Sequence, residues 1–125
     1  MRSDLDRLCY TLGITADSQY GGKVPEHFAG SNPWRVTLRF EGRRLTVPFY
    51  TGSAITRDPG AADVLSCIVS DARCGEESFE SFCSDLGYDV DSRKAEQTWR
   101  ACCKMGPKVR RFLGAAFDDV ANAEH

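Results

Sequence analysis

Long apolar runs are missing from this 125-residue chain: no stretch approaches the roughly 20 apolar residues of a membrane-spanning helix. The opening Met-Arg-Ser-Asp-Leu-Asp-Arg alternates charge and lacks the apolar centre of a secretory leader, so a cytoplasmic location is expected. Histidine is scarce, with only His27 and His125. No pair of cysteines reads C-x-x-C, and the six present (Cys9, Cys67, Cys74, Cys83, Cys102 and Cys103) fit no zinc-site spacing. Adjacent Cys102 and Cys103 come nearest, but neighbours on a helix point about 100° apart. Free thiols are therefore expected in a reducing compartment. Gly-rich phosphate cradles are absent, and Gly52-Ser-Ala is no nucleophile elbow. No metal and no cofactor is expected.

What is present is charge, and it is unevenly placed. The net charge of −2 hides four blocks. Residues 1–57 carry eight Lys/Arg against five Asp/Glu, for +3. Residues 58–91 carry nine acids against Arg73 alone, for −8. Residues 92–114 carry seven bases against Glu96, for +6, and residues 115–125 add −3. At 42% apolar and 27% charged, the composition otherwise matches an ordinary globular chain. The length predicts one domain over 1–125.

Local patterning predicts an α+β fold. Ser3 as N-cap and Gly13 as stop bound a helix over 3–12, followed by a strand over 14–20 and a Gly/Pro-rich loop to Pro33. Trp34, Val36, Leu38 and Phe40 alternate with polar residues, as do Leu45, Val47 and Phe49. The result is a hairpin over 34–50, turning at 41–44, with Arg35, Arg39, Arg43 and Arg44 on its polar side. Pro48 places the second strand at an edge. Two strands alone are marginal, so helices are expected to cover the apolar face. The first of these spans about 61–73, with Val64, Leu65, Ile68, Val69 and Ala72 inside an arc of about 140°. A second, about 76–86, has Glu76 and Glu77 in its first turn and Gly87 after its end. A third, about 92–105, takes Asp91 as N-cap; Gly106-Pro107 then breaks the run, and a fourth helix covers about 107–120.

Specific chemistry finds little support in these letters. Cys83, Cys102 and Cys9 fall on apolar helix faces, where cysteine is a small hydrophobe. Cys67 and Cys74 lie among acids, which oppose thiolate formation. Asp85, Asp89, Asp91 and Glu96 fit positions 1, 5, 7 and 12 of a calcium loop, but Val90 stands where the sharp turn needs glycine. Enzyme activity is not expected. What remains is the acidic set Asp63, Asp71, Glu76, Glu77, Glu80, Asp85, Asp89 and Asp91, on the polar sides and ends of successive helices. On one surface, such carboxylates would occupy a groove built for phosphates, because arginine and lysine pair with either group.

The run from Ser78-Phe-Glu-Ser-Phe-Cys-Ser-Asp-Leu-Gly-Tyr-Asp-Val-Asp to Trp99, with Trp34-Arg-Val-Thr-Leu-Arg-Phe and Leu45-Thr-Val-Pro-Phe49, resembles small proteins encoded by bacteriophages and prophages. Anti-CRISPR proteins belong to that group. The resemblance implies an inhibitor in the host bacterial cytoplasm, monomeric or a small homo-oligomer, that binds a CRISPR effector complex and blocks its access to target DNA. The acidic set is the expected contact, as a DNA mimic. The alternative is a phage DNA-binding or regulatory protein using the hairpin arginines.

Overall fold

The computed structural model describes residues 2–125. The fold is α+β, with a three-stranded antiparallel sheet and a C-terminal helical region. The chain forms two compact units. One runs to Leu65 and takes in Ala123–His125; the other is Ser66–Asn122.

In the first unit, helix α1 (Asp4–Leu12) starts on a capping box. The Ser3 hydroxyl accepts the Asp6 N–H, and the Asp6 carboxylate accepts the Ser3 N–H. Gly13 closes it in the left-handed region at φ 77°. Strands β1 (Thr15–Tyr20), β2 (Asn32–Phe40) and β3 (Arg43–Thr51) follow in spatial order β1-β2-β3. Hydrophobic alternation sets the register: Trp34, Val36, Leu38 and Phe40 are buried on one face, as is Val47 opposite Val36. Full burial of a side chain such as Val36 or Leu38 contributes about 1.5–3 kcal/mol. Pro48 lies on the edge strand β3, where no further ladder needs its missing N–H.

The hairpin turns on only two residues, Glu41 (φ 50°) and Gly42 (φ 76°). Two successive positive φ values match the right-handed twist of the flanking strands. This tight turn corrects one placement. Arg43 pairs directly with Phe40 and stands over its ring at 5.3 Å, on the face opposite to Arg35, Arg39 and Arg44.

Helix α2 (Ala61–Gly75) begins in the first unit and continues into the second. It runs two residues beyond the expected end. Gly75 is its last residue, and a Cβ there would stand 2.4 Å from the Cys102 carbonyl carbon and oxygen. Helix α3 (Phe79–Leu86) is shorter than expected: Ser78 is its N-cap, and Gly87 closes it at φ 74°. Glu76 and Glu77 therefore lie in the turn before it, their N–H groups bonded to the Arg73 and Cys74 carbonyls.

The largest departure is helix α4, which runs unbroken from Arg93 to Leu113 through Pro107. Its N-cap is Ser92 rather than Asp91, the Ser92 hydroxyl accepting the Ala95 N–H. Pro107 removes one helical hydrogen bond at a typical cost of about 3 kcal/mol. Ala95, Cys102, Gly106, Val109 and Leu113 nevertheless form one buried stripe with half-buried Trp99 across it, while Pro107 itself is exposed. Continuing that stripe outweighs the lost bond. The break falls instead at Gly114, where a 3-10 turn (Gly114–Ala116) leads into α5 (Phe117–Asn122).

Candidate functional site

The acidic set is built mainly on the turns flanking α3. Phe82 and Cys83 point into a buried cluster with Ala95, against which Cys74, Phe79, Tyr88 and Trp99 pack. That anchoring leaves Glu80 and Asp85 exposed on α3. The Trp99 indole N–H donates to the Glu77 carbonyl at 3.1 Å, and the Phe79 and Trp99 rings meet at 5.5 Å. The Glu77 turn is thereby held to α4.

The eight carboxylates do not act alike. Asp63 belongs to the first unit and is enclosed by its own donors: the Gly60 N–H at 2.9 Å, Arg57 at 3.2 Å and the His125 ring at 2.9 Å. Partial desolvation pushes its pKa up, but those donors outweigh it and hold the carboxyl below its usual range. Glu76 is clamped by Arg110, with Nε and Nη donating at 2.7 and 2.9 Å, and its carboxyl is likewise lowered. The same guanidinium covers the Phe117 ring at 3.6 Å. These two carboxylates serve the fold.

The other six, Asp71, Glu77, Glu80, Asp85, Asp89 and Asp91, lie within the second unit, and no cation among the described residues pairs with them. Burial and one close neighbour act on two of them. Desolvation, a side-chain hydrogen bond to the Asp85 carboxylate and the Asp85 charge push the Glu77 carboxyl up, and desolvation alone raises Asp71. Asp89 accepts the N–H of Asp91 at 3.0 Å, fixing the turn between α3 and α4. Among the described residues, no group of three or more His, Cys, Asp or Glu is placed to hold a metal ion.

Four of the six thiols are poor nucleophiles. Burial and the nearby Asp6 push Cys9 up to about 11; burial, with Asp71, Cys74 and Cys103, pushes Cys102 up to about 12. Cys74 is raised by burial and by Glu77, Asp71 and Asp85, and Cys83 by burial, Glu80 and Asp89. One arrangement escaped the sequence reasoning. Ser3 Oγ, His125 and Asp63 form a chain, with Ser3 Oγ 3.2 Å from His125 Nδ1 and Asp63 Oδ1 2.9 Å from Nε2. The Ser3 hydroxyl also bonds the Asp6 carboxylate at 3.0 Å, so the chain continues into the capping box of α1. The chain ties residues near the two ends of the sequence together, as does the Leu5 N–H donated to the Glu124 carbonyl.

The sheet's polar face also acquires a definite shape. Arg35, Arg39 and Arg44 are exposed and pair with no carboxylate among the described residues. A depression of about 250 Å³ is lined by Gly21, Gly22, Lys23, Arg35, Pro48 and Tyr50, among others. Another, of about 480 Å³, wraps the hairpin turn and is lined by Thr15, Arg39 and Arg44 from this face and by Phe40 and Arg43 from the other. Lys23 and Tyr50 were not singled out from the sequence. The outward parity of Tyr50, two residues beyond Pro48, is the signal that places it beside the arginines.

Comparison of the chain with protein-family models, curated proteins and solved structures yields no match. No helix among the described residues is long and apolar enough to cross a membrane.

Proposed function

We propose that this protein works by binding rather than catalysis, as a phage-encoded inhibitor of a bacterial defence complex of the anti-CRISPR kind. It acts in the host cytoplasm. The observation that carries the reading is the group of six carboxylates between Asp71 and Asp91, set on α2, α3 and their turns without internal cations. A phosphate-binding surface presents arginines and lysines, and carboxylates satisfy those donors as phosphate does. Charge complementarity of this type accelerates association and excludes the nucleic acid that the surface normally holds.

The test is inhibition in cells. The chain is expressed in a host with an active CRISPR system, and plaquing of a targeted phage is counted. The wild-type chain is expected to restore plaquing, and the triple reversal Glu80→Lys, Asp85→Lys, Asp89→Lys to abolish that effect while keeping the far-ultraviolet circular dichroism spectrum. Glu76 is left intact because its reversal would break the Arg110 clamp. Restored plaquing by the triple variant would refute the acidic contact; plaquing no better than an empty vector with the wild-type chain would refute the inhibitor reading.

A further inference from the structure

We propose that the solvent face of the three-stranded sheet is a separate binding site, for single-stranded DNA. Arg39 and Arg44 are direct cross-strand partners in the β2–β3 register, so two guanidinium groups face solvent side by side. Like charges in such a pair repel, and here no carboxylate closes on either. An anion placed between them turns that repulsion into two charge-assisted hydrogen bonds. Arg35 lies four residues from Arg39 on the same face, about 13 Å along the strand, and shares the smaller depression with Lys23. The two depressions thus put cations at both ends of the face, with Thr37 and Thr46 between them. Asp17, opposite Thr37, is the one carboxylate on the strands of this face; Glu41 at the turn is engaged by Arg43 at 3.3 Å.

A repeated phosphate ligand suits cations spread over that distance better than a single small anion. Tyr50 supplies the second requirement. It lines the smaller depression and is backed by Phe28, stacked at 4.5 Å with planes 14° apart, which in turn meets His27 at 4.5 Å. A braced aromatic ring beside a basic groove is a platform for an unstacked base. Duplex DNA fits poorly. Three strands about 4.8 Å apart, with side chains, exceed a major groove about 12 Å wide. The Thr37 and Thr46 hydroxyls, bonded to each other at 3.0 Å, lie between the two basic ends of the face.

The experiment is fluorescence anisotropy of a labelled oligothymidylate of about 15 nucleotides with the full chain. With three or four phosphates neutralised, raising salt from 50 to 200 mM should weaken binding by about 20- to 50-fold. Arg44→Glu should reduce affinity at low salt while leaving the melting temperature at or above wild type, since it places opposite charges across the strands. Tyr50→Leu should weaken binding at least about fivefold. No binding at 50 mM salt, tighter binding of a duplex of equal length, or unchanged affinity of Arg44→Glu would each overturn the proposal. Neither variant touches the Asp71–Asp91 carboxylates, so this site and the inhibitor reading stand or fall separately.

Discussion

Replacing Gly75 by alanine tests a close approach of α2 and α4 in the second unit. A Cβ at Gly75 would stand 2.4 Å from the Cys102 carbonyl carbon and oxygen and 2.7 Å from the Cys103 nitrogen, all backbone atoms. Comfortable carbon contacts begin near 3.5 Å, so α2 and α4 must separate by about 1 Å. The separation would loosen the packing around Ala72 and Cys102 and strain the Cys103 thiol bond to the Gly75 carbonyl, now 3.3 Å. Overpacking of this kind costs about 1–3 kcal/mol, partly offset by alanine's helix preference of up to about 1 kcal/mol. A net loss of about 1–2 kcal/mol is expected, lowering the melting temperature by about 3–8 °C for a chain of this size. Gly106 is the internal control. Its Cβ would lie 3.4 Å from the Ala72 oxygen and 3.6 Å from the Ala72 Cα, a fit that small adjustments accommodate. Gly106→Ala is therefore expected to be near neutral, within about 0.5 kcal/mol, because helix preference and slight crowding oppose each other. Thermal melting by circular dichroism and urea midpoints measure both. A Gly75→Ala protein that melts at or above wild type, or a larger loss at Gly106 than at Gly75, would refute the reasoning.

Two further outcomes follow from the first unit. Asp63 is held below its ordinary range by Gly60, His125 and Arg57 against its own desolvation, so its contribution is complete above the unfolded value near 3.9 and is lost as pH falls through the lower folded value. Asp63→Asn should cost about 1 kcal/mol or less at pH 7, given its partial exposure, and the gap to wild type in urea midpoints should narrow in acid; a gap that widens there would contradict the assignment. Glu41 occupies the left-handed region at φ 50°, which asparagine tolerates better. Glu41→Asn should raise stability by about 0.5–1 kcal/mol despite losing the exposed Arg43 pair, and a lower melting temperature would show that pair to matter more than the turn.

The two candidate surfaces have opposite charge and lie in different units. Carboxylates without internal cations occupy the second, and guanidinium groups without internal carboxylates occupy the sheet of the first. The net charge of −2 conceals both. Each surface is exposed because the opposite side of its own element carries the apolar residues, Phe82 and Cys83 on α3 and Val36 and Leu38 on β2.

Features governed by neighbours a few residues apart were legible from the sequence alone. Ser3 and Gly13 bracket α1, Gly87 ends α3, and the alternation from Trp34 to Phe40 sets the buried face of the hairpin. Caps, left-handed glycines and strand alternation act over one to four residues, so local sequence is enough to determine them. The α+β class follows from the same signals. Only the tertiary structure decided the rest. Pro107 looks like a helix break until the stripe through Gly106 and Val109 is seen to be buried, and nothing in the letters around Gly75 announces the Cys102 backbone against it. Glu76 and Glu80 are alike as letters, yet Arg110, 34 residues further along the chain, clamps the first and leaves the second in solvent. Which carboxylates hold the fold and which remain for a partner depends on where distant cations arrive, and that is a property of packing.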